Sequence, residues 1–358
     1  MNDHALPPEL ERARDQCPEL VAQLERRAPY GAALATSTFG LEVQVTNRES
    51  RVSERGRSAG AVLTAWNGEF LQEESVGSLD ADALGAAARS LAEGLDRRPG
   101  PAPEPGAPAS GHWSAPAEVD PRSRSSADKL ELCRRYHEKV RALDPRLVNA
   151  RVVYSELNES KVFANRTRRL SQSLTRIRFS VILFASDGRK MEYDWLLRSG
   201  VGGVEIAHAS DEELQALAAG AVALLSAERI EPGFYDCICD PSVSGVMAHE
   251  AFGHGVETDM FYKGRARAAE YLGRRVGSPL VNLLDDPTAP GAYGAYRLDD
   301  EGETATPTVI LRDGIFERGL TDLYSAFRLG IPRTAPGRRA SLQRKAYARM
   351  SNTFFARG

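Results

Sequence analysis

Residues 160–194, "SKVFANRTRRLSQSLTRIRFSVILFASDGRKMEYD", alternate apolar and polar side chains over long runs, with Asp187-Gly188 as the sharpest turn signal. Period-two alternation puts successive side chains on opposite faces of a sheet, and Asp-Gly between two such runs marks a hairpin. The next stretch, "ASDEELQALAAGAVALLSAE" at 209–228, reads as a helix, and Ser210 followed by Glu213 is a capping box. The same order occurs once before. Residues 41–70, "LEVQVTNRESRVSERGRSAGAVLTAWNGEF", carry Asn67-Gly68 at the place of Asp187-Gly188, and "SLDADALGAAARSLAEGL" at 78–95 follows as a helix. A strand-strand-strand-helix unit present twice predicts an α+β fold whose N-terminal α/β domain is an internal repeat. The competing reading is two unrelated α+β segments that share generic turn chemistry.

The bulk composition is that of an ordinary soluble globular protein. The chain has 358 residues, enough for two domains, and 46 Lys and Arg against 49 Asp and Glu give a net charge of -3. That balance predicts no nucleic-acid partner and no attraction to an anionic membrane, although it leaves room for a local basic patch. The N-terminus mixes charges without an apolar run, so it does not read as a secretory signal, and "LQALAAGAVALLSA" at 214–227 is a core helix too short to span a bilayer. Four scattered cysteines, Cys17, Cys133, Cys237 and Cys239, do not form a disulfide framework and imply a reducing, cytoplasmic setting. Residues 97–121 hold seven of the 20 prolines, which excludes a regular helix or central strand and predicts a loop or linker.

From about residue 231 the pattern changes, so the predicted domains are 1–230 and 231–358. "FYDCICDPSVSGVMAHEAFGHG" at 234–255 reads as a short strand, a turn through Pro241, and a helix; short β-like runs follow, including a hairpin at Asp313-Gly314. This half is expected to be mostly β. The helix carries His249, Glu250 and His254. Zinc peptidases usually space the two histidines four apart on one helix face. A spacing of five turns the imidazoles roughly 140° apart on an ideal helix. A π-type i to i+5 turn would stack them again, and Gly253 and Gly255 beside His254 let the backbone widen. The competing reading gives the two histidines separate hydrogen-bond environments.

Four stretches in this order, "HEAFGHGVETD" at 249–259, "LDDEGETATPTVILRDGIFERGL" at 298–320, "GRRA" at 337–340 and "ARMSNTFFARG" at 348–358, resemble the TldD/PmbA metallopeptidases, the modulators of DNA gyrase, and in particular the TldD-type subunit. The resemblance extends more weakly through the N-terminal half. It implies a zinc-dependent peptidase in which His249 and His254 bind Zn2+ and Glu250 is the general base. It implies peptide substrates, unfolded ones and leader segments of modified peptides among them, and a PmbA-type partner subunit or a homodimer. It also implies a third ligand, a cysteine, in a C-terminal region of the family that lies beyond Gly358. Within this chain, Cys237 and Cys239 would share one face of a strand, either near the metal or simply buried in a core. Glu257 and Asp259 are candidates for a ligand, a group orienting an imidazole, or a solvated turn. Asp299, Asp300 and Glu301 are candidates for a catalytic acidic cluster or hairpin turn residues. None of these is assigned as the third ligand. Two functions follow: a catalytic subunit, or a non-catalytic peptide-binding or scaffolding relative with an incomplete metal site.

Overall fold

The computed structural model describes residues 6–357. Helix α1 (Pro8–Glu25) leads into strands β1 (Gly31–Thr46), β2 (Ser50–Trp66) and β3 (Leu71–Val76) and helix α2 (Ala81–Glu93). Strand β4 (Ala109–Ser114) precedes a second unit: α3 (Ser126–Arg141), β5 (Leu147–Asn165), β6 (Arg168–Ser186), β7 (Met191–Val201) and α4 (Asp211–Ala223). The repeat predicted from sequence is therefore present, with a leading helix added to each copy. The turns match in detail. The Oδ1 of Asn67 accepts the N–H groups of Glu69 and Phe70, that of Asp187 accepts those of Arg189 and Lys190, and Gly68 and Gly188 follow at φ 112° and 87°. Only glycine adopts that region freely. Ser210 and Glu213 form the reciprocal cap of α4.

The strands make one seven-stranded sheet in the order β3-β2-β1-β5-β6-β4, with β7 also paired to β6. Its centre is the antiparallel pairing of β1 with β5, where one copy meets the other. Alternation then sorts the residues by face. Ala33, Ala35, Leu41, Val43 and Val45 of β1 turn toward the helices, α1 and α2 over one half and α3 and α4 over the other. Ala32 and Leu34 turn the opposite way, onto Phe163, Leu298 and Leu323. The sheet is thus buried from both sides, by helices on one face and the C-terminal half on the other. Under α3 lies an ion pair, Lys129 Nζ to Glu156 at 2.8 Å with both side chains about 5% exposed, and the hydroxyl of Tyr154 donates to the same carboxylate at 2.7 Å.

The C-terminal half starts with helix α5 (Pro241–Met247), capped by the Asp240 side chain on the Val243 N–H. After α6 (Asp259–Tyr262) come β8 (Leu283–Asp285), β9 (Thr308–Arg312), β10 (Ile315–Phe316), α7 (Leu323–Leu329), the pair β11 (Gly337–Arg338) and β12 (Tyr347–Ala348), and β13 (Thr353–Phe355). A four-stranded sheet, β10-β9-β8-β13, packs Leu283, Ile310, Leu311 and Phe316 against Ala248, Val256 and Met350. Asp285 ties "SNT" down, accepting from Ser351 N and Oγ and from Thr353 Oγ1.

Two expectations are corrected. The proline-rich stretch is not wholly loop, because its proline-free part between Pro108 and Pro116 forms β4, which pairs in parallel with β6 at the edge of the sheet. Residues 234–240 form no strand. Phe234 and Ile238 are fully exposed, and Cys237 and Cys239 are exposed rather than buried in a core. The segment has a strand's composition but no neighbour to pair with.

Candidate metal centre

The backbone deviates at the place the histidine spacing requires. Regular α5 gives way to a π-helical turn over Ala248–Gly253, followed by a short 3-10 turn over His254–Val256. The widened ring is closed by the His254 N–H donating to the His249 carbonyl, so the i to i+5 bond joins the two histidines themselves. The rings come together at a centroid distance of 4.6 Å and an interplanar angle of 81°. Ligand atoms of His249, Glu250 and His254 all lie within 4.8 Å of one another, open to solvent.

The turn is anchored from behind. Ala248 and Val256 are buried in the small core, and Phe252 packs edge-on against Phe316 at 5.2 Å. A Cβ at Gly253 would meet Met350 Sδ at 2.2 Å, so any larger residue there requires the buried Met350 side chain to shift. Gly255 is not held the same way; its nearest contact would be Ala268 at 4.0 Å. Beyond the motif, the Leu320 N–H donates to Val256 and the Thr258 N–H donates to Leu320, pinning the chain as it leaves.

The acidic residues after the motif divide in role. Glu257 is buried, and its Oε1 lies 3.5 Å from His254 Nδ1 while Oε2 accepts from Arg349 at 3.0 Å. Burial pushes its carboxyl upward, opposed by Arg349 and His254. It is placed to orient the His254 ring. Asp259 instead pairs with Lys263 at 2.8 Å. Asp299, Asp300 and Glu301 belong to a separate buried clamp. Asp299 accepts from Glu301 N and Glu303 N as a turn residue and from Gly337 N; Asp300 accepts from Arg339 N and Lys161 Nζ; Glu301 accepts from Leu323 N. Burial raises the carboxyls of Asp299 and Glu301 against the opposing pull of Arg333, whereas at Asp300 the Lys161 ion pair outweighs burial. The clamp joins the "LDDE" and "GRRA" stretches. Among the described residues, the one group of His, Cys, Asp and Glu able to share a cation is His249, Glu250 and His254.

Comparison with known proteins places the chain in a family. Residues 119–229 match the PmbA/TldA metallopeptidase central domain, and residues 232–358 match the PmbA/TldA metallopeptidase C-terminal domain. The chain belongs to the PmbA/TldD metallopeptidase family. It is 32% identical over 256 residues to a metalloprotease of Methanothermobacter thermautotrophicus, covering 71% of this chain and 56% of that protein. It is 24% identical over 240 residues to a zinc metalloprotease TldD homolog of Saccharolobus solfataricus, covering 66% and 54%. The crystal structure of TldE from Thermococcus kodakarensis shares the fold, with a TM-score of 0.73 at 15% identity over 95% of this chain and 77% of that one. The chain spans about half the length of the curated relatives it matches. No helix among the described residues is long and apolar enough to cross a membrane.

Proposed function

We propose that the chain is the metal-bearing subunit of a zinc-dependent peptidase acting on unfolded peptides, with residues 231–358 as the peptidase half and 1–230 as its framework. The π turn that brings two imidazoles and a carboxylate within 4.8 Å carries this reading. The donor set suits zinc: two neutral imidazoles with an adjacent carboxylate, one of the rings backed by a second acid. A zinc ion held by His249 and His254 would supply Lewis acidity and a lowered pKa for water. Glu250 then takes the proton from the attacking water on its carboxylate and returns it to the leaving amide nitrogen. Catalytic zinc sites use three protein ligands as a rule, so His249 and His254 alone hold the ion weakly.

Action on leader segments and assembly with a PmbA-type partner or a second copy are part of the same proposal. A reducing, cytoplasmic location belongs to the same proposal, supported by Cys17, Cys133, Cys237 and Cys239 all being free thiols. The test is Glu250→Gln in whichever assembly cleaves an unstructured peptide. The expected loss is about 10²- to 10⁴-fold in rate with folding and metal content retained, while His249→Ala loses metal and activity together. An undiminished rate for Glu250→Gln would leave the scaffold reading as the better one.

A further inference from the structure

A cavity of about 810 Å³ lies between the face of the large sheet turned away from the helices and the segment 338–349. Its floor includes a cross-strand row, Thr36 of β1, Lys161 of β5 and Gln172 of β6. Its volume falls in the range of ligand sites, roughly 300–1,000 Å³. Its lining contains seven Lys or Arg side chains and two carboxylates, in a chain whose net charge is -3.

Pairing does not use up this charge. Lys161 is matched by Asp300, Arg176 by Glu159, Arg339 by Glu73 and Arg349 by Glu257. Among the described residues, Arg338, Arg344 and Lys345 have no carboxylate partner. Arg338 donates to the Met350 carbonyl and stacks over Tyr296, yet its buried Nε has no acceptor, and neither has the Nε of Arg339.

The three unpaired cations are spread along one wall, from Arg338 to Lys345, where no residue takes the positive φ of a backbone nest that cradles a phosphate. That distribution suits carboxylates spaced along an extended chain. The cavity also touches the candidate metal centre through one residue, since Arg349 lines it while gripping Glu257, which faces His254.

We infer that this cavity binds an acidic stretch of the peptide substrate, its Asp and Glu side chains meeting Arg338, Arg344 and Lys345, so that the peptide bonds beside that stretch are presented to His249 and His254. The inference rests on the peptidase reading, and its test separates the two. Fluorescence anisotropy of a labelled unstructured peptide rich in Glu is compared with its Gln counterpart, on the full chain with a chelator present. The Glu peptide should bind about tenfold tighter at low salt, and Arg344→Gln/Lys345→Gln should abolish the difference. Equal binding of the two peptides, or a preference that survives the double substitution, overturns the inference. So does displacement by inorganic phosphate at concentrations where chloride of matched ionic strength has no effect, which marks a phosphate site. Because no metal is involved, acid-dependent binding without any cleavage in the loaded assembly would leave this inference standing while the peptidase reading fell.

Discussion

The central sheet and the metal-motif turn are held in different ways. Strands β1, β5 and β6 are covered on both faces and carry several of the largest buried side chains, Tyr154, Phe163 and Phe179. The α5 helix and its π turn are covered on one side only; Val243 is 49% exposed, Val246 61% and Met247 49%. Folding free energy is concentrated in the first region, while the geometry of the donors rests on a few contacts in the second: Gly253 with Met350, Phe252 with Phe316, and Glu257 with Arg349. Stability and site geometry are therefore separable by mutation.

The largest effect on the sheet side is expected from Lys129→Ala, which strands the buried Glu156 carboxylate. It should lower unfolding free energy by about 3–5 kcal/mol in urea while leaving zinc affinity per folded molecule unchanged. A matching loss of zinc affinity would show the two regions to be coupled. Gly253→Ala strikes the turn instead. Forcing a Cβ against Met350 should cost about 1–3 kcal/mol and weaken metal binding, and Met350→Ala on the same background should restore part of both. If the single substitution leaves metal binding intact, the turn is not held by this contact. The smallest effect is expected from Glu257→Gln, which keeps the shape but removes the charge facing His254. Zinc affinity should fall about 10- to 100-fold by competition with a chromogenic chelator, with the urea midpoint nearly unmoved.

These regions also differed in how much the sequence revealed. Asn67-Gly68, Asp187-Gly188 and the Ser210 cap act within a few residues, so local reading found both units and their turns. The five-residue spacing of His249 and His254 likewise carried its own geometric requirement, and the π turn meets it. Long-range pairing was less legible. Strand β4 exists because β6 offers an edge, and residues 234–240 fail to be a strand because nothing does. Glu257 was legible only as one of several roles, since its partner Arg349 lies 92 positions away. The basic cavity was not legible at all, because Thr36, Lys161, Arg338 and Lys345 meet only after the C-terminal half folds onto the sheet.

The antiparallel pairing of β1 with β5 has a consequence for the origin of this architecture. Each α-β-β-β-α unit alone would expose β1 or β5 as a long unpaired edge, and such edges invite another chain. Here the two edges satisfy each other, each unit's leading helix packing across the seam onto both strands. That is the arrangement of an isologous two-fold dimer, realised within one polypeptide. The halves differ in one respect: β6, the middle strand of the second, also pairs with β4, whereas β2 of the first pairs only with β1 and β3 among the described residues. The halves therefore present unlike rims to whatever approaches the sheet from outside.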